Sequence, residues 1–139
     1  IGGNFHGTTL NGMGAVLAKV IAAMPNFARF MASSAGIQQV VGAEFIEHLN
    51  TLPDTAPGTL YTSIYSPADV TVTPNSSSML AAVDGADVVN IDLGELCGAE
   101  PLHPDLPRDP MVMSQVLFGL TREAGQEADS STCVEPVRG

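Results

Sequence analysis

Two stretches of this chain carry strand periodicity, and runs of helical spacing lie on both sides of them. In residues 59–65, Leu60, Thr62 and Ile64 alternate with Tyr61, Ser63 and Tyr65, which is strand periodicity, and the breaker-rich "TLPDTAPG" precedes them. The second stretch, "DVVNIDL" at 87–93, follows the turn signal of Asp84 and Gly85. Two strands are too few to cover helices of this size. The order helix, strand, strand, helix therefore reads as the end of an open α/β sheet whose remaining strands lie upstream. The separation between the strands admits a parallel crossover, with "SSSMLAAV" supplying a small helix to make it.

The helical runs are read from apolar spacing. Leu10, Met13, Val16, Leu17, Val20, Ile21 and Met24 recur at three and four until Pro25, with Thr8 or Thr9 as the cap. Ile37, Val40, Val41, Phe45 and Leu49 predict a second helix capped by Ser34. Asp109 and Pro110 form an N-cap with proline at the first helical position, and Met113, Val116, Leu117 and Leu120 continue the helix as an apolar face. From Gly125 the chain is polar and reads as loop. Ile1 is not Met, and "IGGN" reads as the end of a strand entering a loop, so the chain is expected to be truncated at its N-terminus.

The 139 residues are one domain's worth of chain, and 45% of them are hydrophobic, enough for a sizeable core. Five Lys and Arg against 15 Asp and Glu give a net charge of -10, a field that repels a phosphate backbone, so nucleic acid is not an expected partner. No apolar run reaches the roughly 20 residues that span a bilayer. Cys97 and Cys133 have no CxxC spacing and no neighbours that build a zinc site. Arithmetic alone leaves two alternatives, one disulfide or two unpaired thiols.

In open α/β sheets, reactive groups gather beyond the carboxyl ends of the strands. Asp69 lies just past the first strand, and His103 follows the second by ten residues. An Asp and then a His after successive strands is the chain order of the triad acid and base in an α/β-hydrolase. A serine hydroxyl needs an imidazole to take its proton, and the imidazole needs a buried carboxylate to hold its tautomer. The plainer alternatives are a turn residue beside Pro67 for Asp69 and a loop residue before Pro104 for His103. His6, His48, His103, Glu44 and Glu47 form no clustered ligand motif, and Glu44, Glu47 and His48 read as the solvated face of a helix whose other face carries Phe45 and Leu49, so no metal is expected.

Four segments, "NFHGTTLNG" (4–12), "QQVVGAEFIEHLN" (38–50), "YTSIYSPADVTVTP" (61–74) and "LCGAEPLHPDLPRDPMV" (96–112), resemble in that order the C-terminal half of secreted bacterial triacylglycerol lipases of the class 2 type, which are α/β-hydrolases. The resemblance implies the C-terminal part of a hydrolase domain over residues 1–124, with parallel strands near 59–65 and 87–93 and the N-terminal strands missing. A polar tail at 125–139 follows. It implies Asp69 as triad acid, His103 as triad base, and His6, Gly7 and Thr8 as a structural element at the pocket edge. The helices between Leu10 and Asn50 correspond to the region capping the acyl pocket. Cys97, six residues before His103, resembles the cysteine that ties the histidine loop, which turns the cysteine question toward a bridge with Cys133. The activity implied is hydrolysis of an acyl ester or lipid, extracellular and without a cofactor.

The chain departs from that pattern in one respect: it contains no GxSxG. Ser33, Ser34 and Ser63 sit in no such turn, so two of the three triad residues are present and the nucleophile elbow is not. A different class of function stands beside the enzyme, a binding or structural domain that kept the sheet without the nucleophile. The helix from Leu10 to Met24, with Phe27, Phe30 and Met31, offers either a lipid-contacting lid or ordinary core.

Overall fold

The computed structural model describes residues 1–24, 26 and 34–134. Its centre is a two-stranded parallel sheet, β1 (Leu60–Tyr65) and β2 (Asp87–Asp92), in register from Leu60 opposite Asp87 to Tyr65 opposite Asp92. Among the described residues it is accompanied by the helices α1 (Gly14–Ala23), α2 (Ser34–Gln38), α3 (Glu44–Leu49), α4 (Leu93–Cys97) and α5 (Pro110–Thr121). Ile64 of β1 and Val89 and Ile91 of β2 meet Leu93, Leu106, Val112 and Phe118 in one buried cluster. The chain is thus a small mixed α/β unit built on a parallel pair.

The crossover between the strands is not the α-helix expected from "SSSMLAAV". A single 3-10 turn, Asn75–Ser78, follows Pro74, and the chain then runs extended. Side chains take the place of a neighbouring strand there. The Asn90 carboxamide accepts from Leu80 N–H and donates to the Leu80 carbonyl, while Asp54 and Thr55 hold Ala81 and Val83. The turn closes through its own backbone, with Ser77 N–H donating to the Pro74 carbonyl and Met79 N–H to the Ser76 carbonyl.

Two helical readings are corrected. Thr8 and Thr9 cap nothing: α1 starts at Gly14 with Met13 at the cap position, because Leu10 and Asn11 sit in the left-handed region at φ 49° and 54°. The helix expected through Ile37 and Leu49 is two short helices, with Ser34 inside α2 instead of capping it. Between them Val40 is drawn into a parallel bridge with Thr8, and Gly42 turns at φ 84°. On α3 the buried side chain is Ile46, whereas Phe45 and Leu49 are exposed.

α5 forms where expected, with Asp109 Oδ1 accepting from the N–H groups of Met111 and Val112. Its buried face is different. Met113, Leu117 and Leu120 point outward, and Val112, Gln115 and Phe118 point inward. Gly119 allows the helix to lie against Thr62, since a Cβ there would come within 3.0 Å of the Thr62 side chain. Gln115 faces inward because the tail completes it: Nε2 donates to the Thr132 carbonyl, and Oε1 accepts from the Thr132 hydroxyl.

Arg122, at the end of α5, has a fully buried side chain. It donates to Thr62 Oγ1, to the carbonyls of Tyr61 and Asp87, to Gln126 O and, at 2.7 Å, to the Asp87 carboxylate. One planar guanidinium with five donors therefore fastens the beginnings of both strands to the helix. The Asp87 carboxyl is held below its ordinary value by the Gly125 N–H and by Arg122. A carboxylate depressed in this way stabilises the fold fully above its unfolded value and ceases to do so as pH falls through the folded one. Replacing Arg122 with Met leaves two strand carbonyls without this donor, at about 1–3 kcal/mol for each buried acceptor left unpaired. Denaturant unfolding from about pH 5 downward should show a steeper acid loss in the wild type than in the variant, and equal slopes would count against the clamp.

Candidate functional site

Asp69 sits in the turn that leaves β1. Its N–H reaches the Ser66 carbonyl, Ser66 Oγ accepts from Ala68 N–H, and the Asp69 side chain is 2% exposed. The two carboxylate oxygens have different tasks. Oδ1 accepts from the backbone N–H groups of Thr71 (2.8 Å) and Val72 (2.9 Å), and Oδ2 lies 2.7 Å from His103 Nδ1. The turn alternative and the paired alternative for Asp69 are therefore both realised, one on each oxygen. Asn75 adds a brace by donating from Nδ2 to the Asp69 carbonyl.

His103 opens the 3-10 turn His103–Arg108, beyond the carboxyl end of β2 and after α4. α4 is capped by Asp92, the last residue of β2, whose Oδ1 accepts from Gly94 and Glu95 N–H, and it ends at Gly98 in the left-handed conformation. A bonded Nδ1 facing a carboxylate leaves Nε2 as the ring nitrogen with no partner among the described residues. Gly2 N–H donates to the Ile64 carbonyl, and Gly2 lies against the imidazole: a Cβ there would fall 2.7 Å from Leu106 Cδ1 and 3.5 Å from His103 Cε1. Gly2 of the "IGGN" start is thus packed against the histidine ring, and the start itself is loop instead of the strand end expected.

The His6, Gly7 and Thr8 element lies alongside. His6 is within hydrogen-bond reach of Asn50 Oδ1 and the Met79 carbonyl and is 3.3 Å from Asp54, so it ties the N-terminal segment to the crossover. Gly7, at φ 87°, has Val41 N 3.1 Å from where a Cβ would stand. His103 shares a cavity of about 350 Å³ with Asn4, Leu10, Gln39, Thr71 and Val72. Among the described residues no group of three or more His, Cys, Asp or Glu could hold a metal ion, and His6, His48 and His103 are not brought together as ligands.

Of the candidate serines, Ser63 is buried and donates to the Ser78 carbonyl, Ser34 lies in α2, and Ser33 lies outside the described residues. Phe27, Phe30 and Met31 also lie outside them, whereas Met13, Val16 and Met24 are exposed. No described helix is long and apolar enough to cross a membrane. Compared with models of known protein families and with curated proteins, the chain matches none.

Cys97 and Cys133 form a disulfide. It links the end of α4, just before the histidine segment, to the tail that Gln115 holds on α5. The bond suits an oxidising compartment such as the cell exterior. Closing a loop of sequence separation 36 contributes about 3–4 kcal/mol in the chain-entropy account. Thiol titration of the unreduced protein in denaturant should find no reactive thiol from this pair, and two titrating thiols would refute the bridge.

Proposed function

We propose that this chain supplies the acid and base of a secreted Ser-His-Asp hydrolase acting on acyl esters, and that it forms the C-terminal part, residues 1–124, of an α/β-hydrolase domain. The observation that carries the reading is the 2.7 Å contact between buried Asp69 Oδ2 and His103 Nδ1, with the second oxygen held by two backbone N–H groups. Asp69 orients the ring and stabilises it once charged, and Nε2 is left to receive a proton. Parallel β1 and β2, with both residues beyond their carboxyl ends, support the same reading.

The nucleophile comes from sequence outside these 139 residues, since no GxSxG is present. In the reaction the serine oxygen bonds to the ester carbonyl carbon as its proton passes to His103 Nε2. That proton then leaves with the alcohol as the carbon–oxygen ester bond breaks. Water repeats the sequence on the acyl-enzyme and releases the acid. The exposed Val16 on α1, with Met13 and Met24 at its two ends, supports transient contact with a lipid surface that delivers such substrates.

In the intact protein, His103→Ala and Asp69→Asn should each lower hydrolysis of a short-chain nitrophenyl ester by about 10²-fold to 10⁴-fold. Activity mostly retained after His103→Ala would exclude the assigned base and favour a binding module.

The 139 residues expressed alone should be catalytically silent and self-associating in sedimentation despite their charge. Leu60 of β1 is exposed, and exposed Leu120 shares a surface pocket with Ile1, Thr62 and Ile64 on the side of β1 where Gly2 contributes a single backbone bond at Ile64. A stable monomer with turnover sensitive to serine reagents would overturn the nucleophile assignment.

A further inference from the structure

We propose that Thr8 is the positioning residue for the Asp69–His103 pair, acting through the backbone that grips the carboxylate. Asp69 Oδ1 is held by the N–H groups of Thr71 and Val72, so its placement is only as firm as residues 71–73. The Thr8 hydroxyl grips that segment on both sides: it donates to the Thr71 carbonyl at 2.6 Å and accepts from Thr73 N–H at 3.0 Å. Leu10 N–H, also at 3.0 Å, fills its remaining acceptor direction. The hydroxyl thus uses its one donor and both acceptor positions, which neither a methyl nor a carboxylate can do.

Thr8 is itself anchored. Its N–H donates to the Gln39 carbonyl, its own carbonyl accepts from Val41 N–H, and the residue is 5% exposed. The bridge to residues 39–41 is therefore coupled through one oxygen to the Thr71–Val72 peptide, whose N–H holds the acid, and to the N–H that follows it. Thr9 provides an internal control. Its hydroxyl meets the Thr73 hydroxyl at 2.8 Å, in the same loop, and touches neither peptide that binds Asp69.

The test uses the intact protein and reads the low-field proton resonance of the His103 Nδ1–H, identified by its loss in His103→Ala. Thr8→Val and Thr8→Ala should broaden or abolish this resonance while the sheet amides keep their protection. Thr8→Ser, which retains the hydroxyl, and Thr9→Val should leave it in place. The rate consequence rests on the hydrolase reading: in Thr8→Val, kcat falls by up to about 10²-fold with KM little changed. An unaltered resonance in folded Thr8→Val or Thr8→Ala overturns the proposal, and so does loss of sheet protection in both, since Thr8 would then support the whole fold instead of the pair. A resonance that follows the expected pattern in a protein without ester hydrolysis upholds the positioning role and rejects the hydrolase reading alone.

Discussion

The parallel pairing of β1 with β2 is the constraint from which the rest of the architecture follows. Parallel neighbours cannot be joined by a tight hairpin, so residues 66–86 must travel back along the sheet before β2 begins. The same geometry makes both strands end on one side. Asp69 leaves β1 there, and His103 arrives there after β2 and the short α4, so two residues 34 positions apart meet at 2.7 Å. A hairpin of the same two strands would have sent their exits to opposite ends.

Polar side chains do much of the joining. Arg122 fastens the start of the ladder to α5, Asn90 substitutes for a third strand along residue 80, Gln115 seats the tail, and Thr8 holds the segment after the acid. Each serves backbone groups that a two-stranded sheet leaves without ladder partners. The apolar cluster is correspondingly small and lies between the sheet, α4 and α5. Polar atoms with fixed donor and acceptor directions define geometry more narrowly than apolar contacts do, and this suits a region that must hold a carboxylate against an imidazole.

Strand periodicity in "LYTSIY" and "DVVNID", and the Asp109 and Pro110 signal, were legible because each is written in neighbouring residues. The face of α5 was not. Met113, Leu117 and Leu120 are the more apolar choice by spacing, but Gly119 and Arg122 decide which side lies on β1, through a close approach and a buried guanidinium. Likewise "QQVVG" carried helical spacing, and Val40 left the helix because Thr8, 32 positions earlier, offered a bridge. At the site, Asp69 and His103 were readable from their order along the chain, whereas Gly2, Thr8 and Asn75 gave no comparable signal.

By itself, the sequence determined the two strands, the start of α5 and the charge that disfavours a nucleic-acid partner, and it put an Asp and a His beyond successive strands, because these depend on residues near one another in the chain. The tertiary structure alone decided which oxygen of Asp69 faces His103, that α5 turns Val112 and Phe118 inward, and that the Thr8 hydroxyl bonds the backbone of residues 71 and 73. Each of these is set by the distance and direction between groups far apart in the chain, and local periodicity carries no record of such vectors.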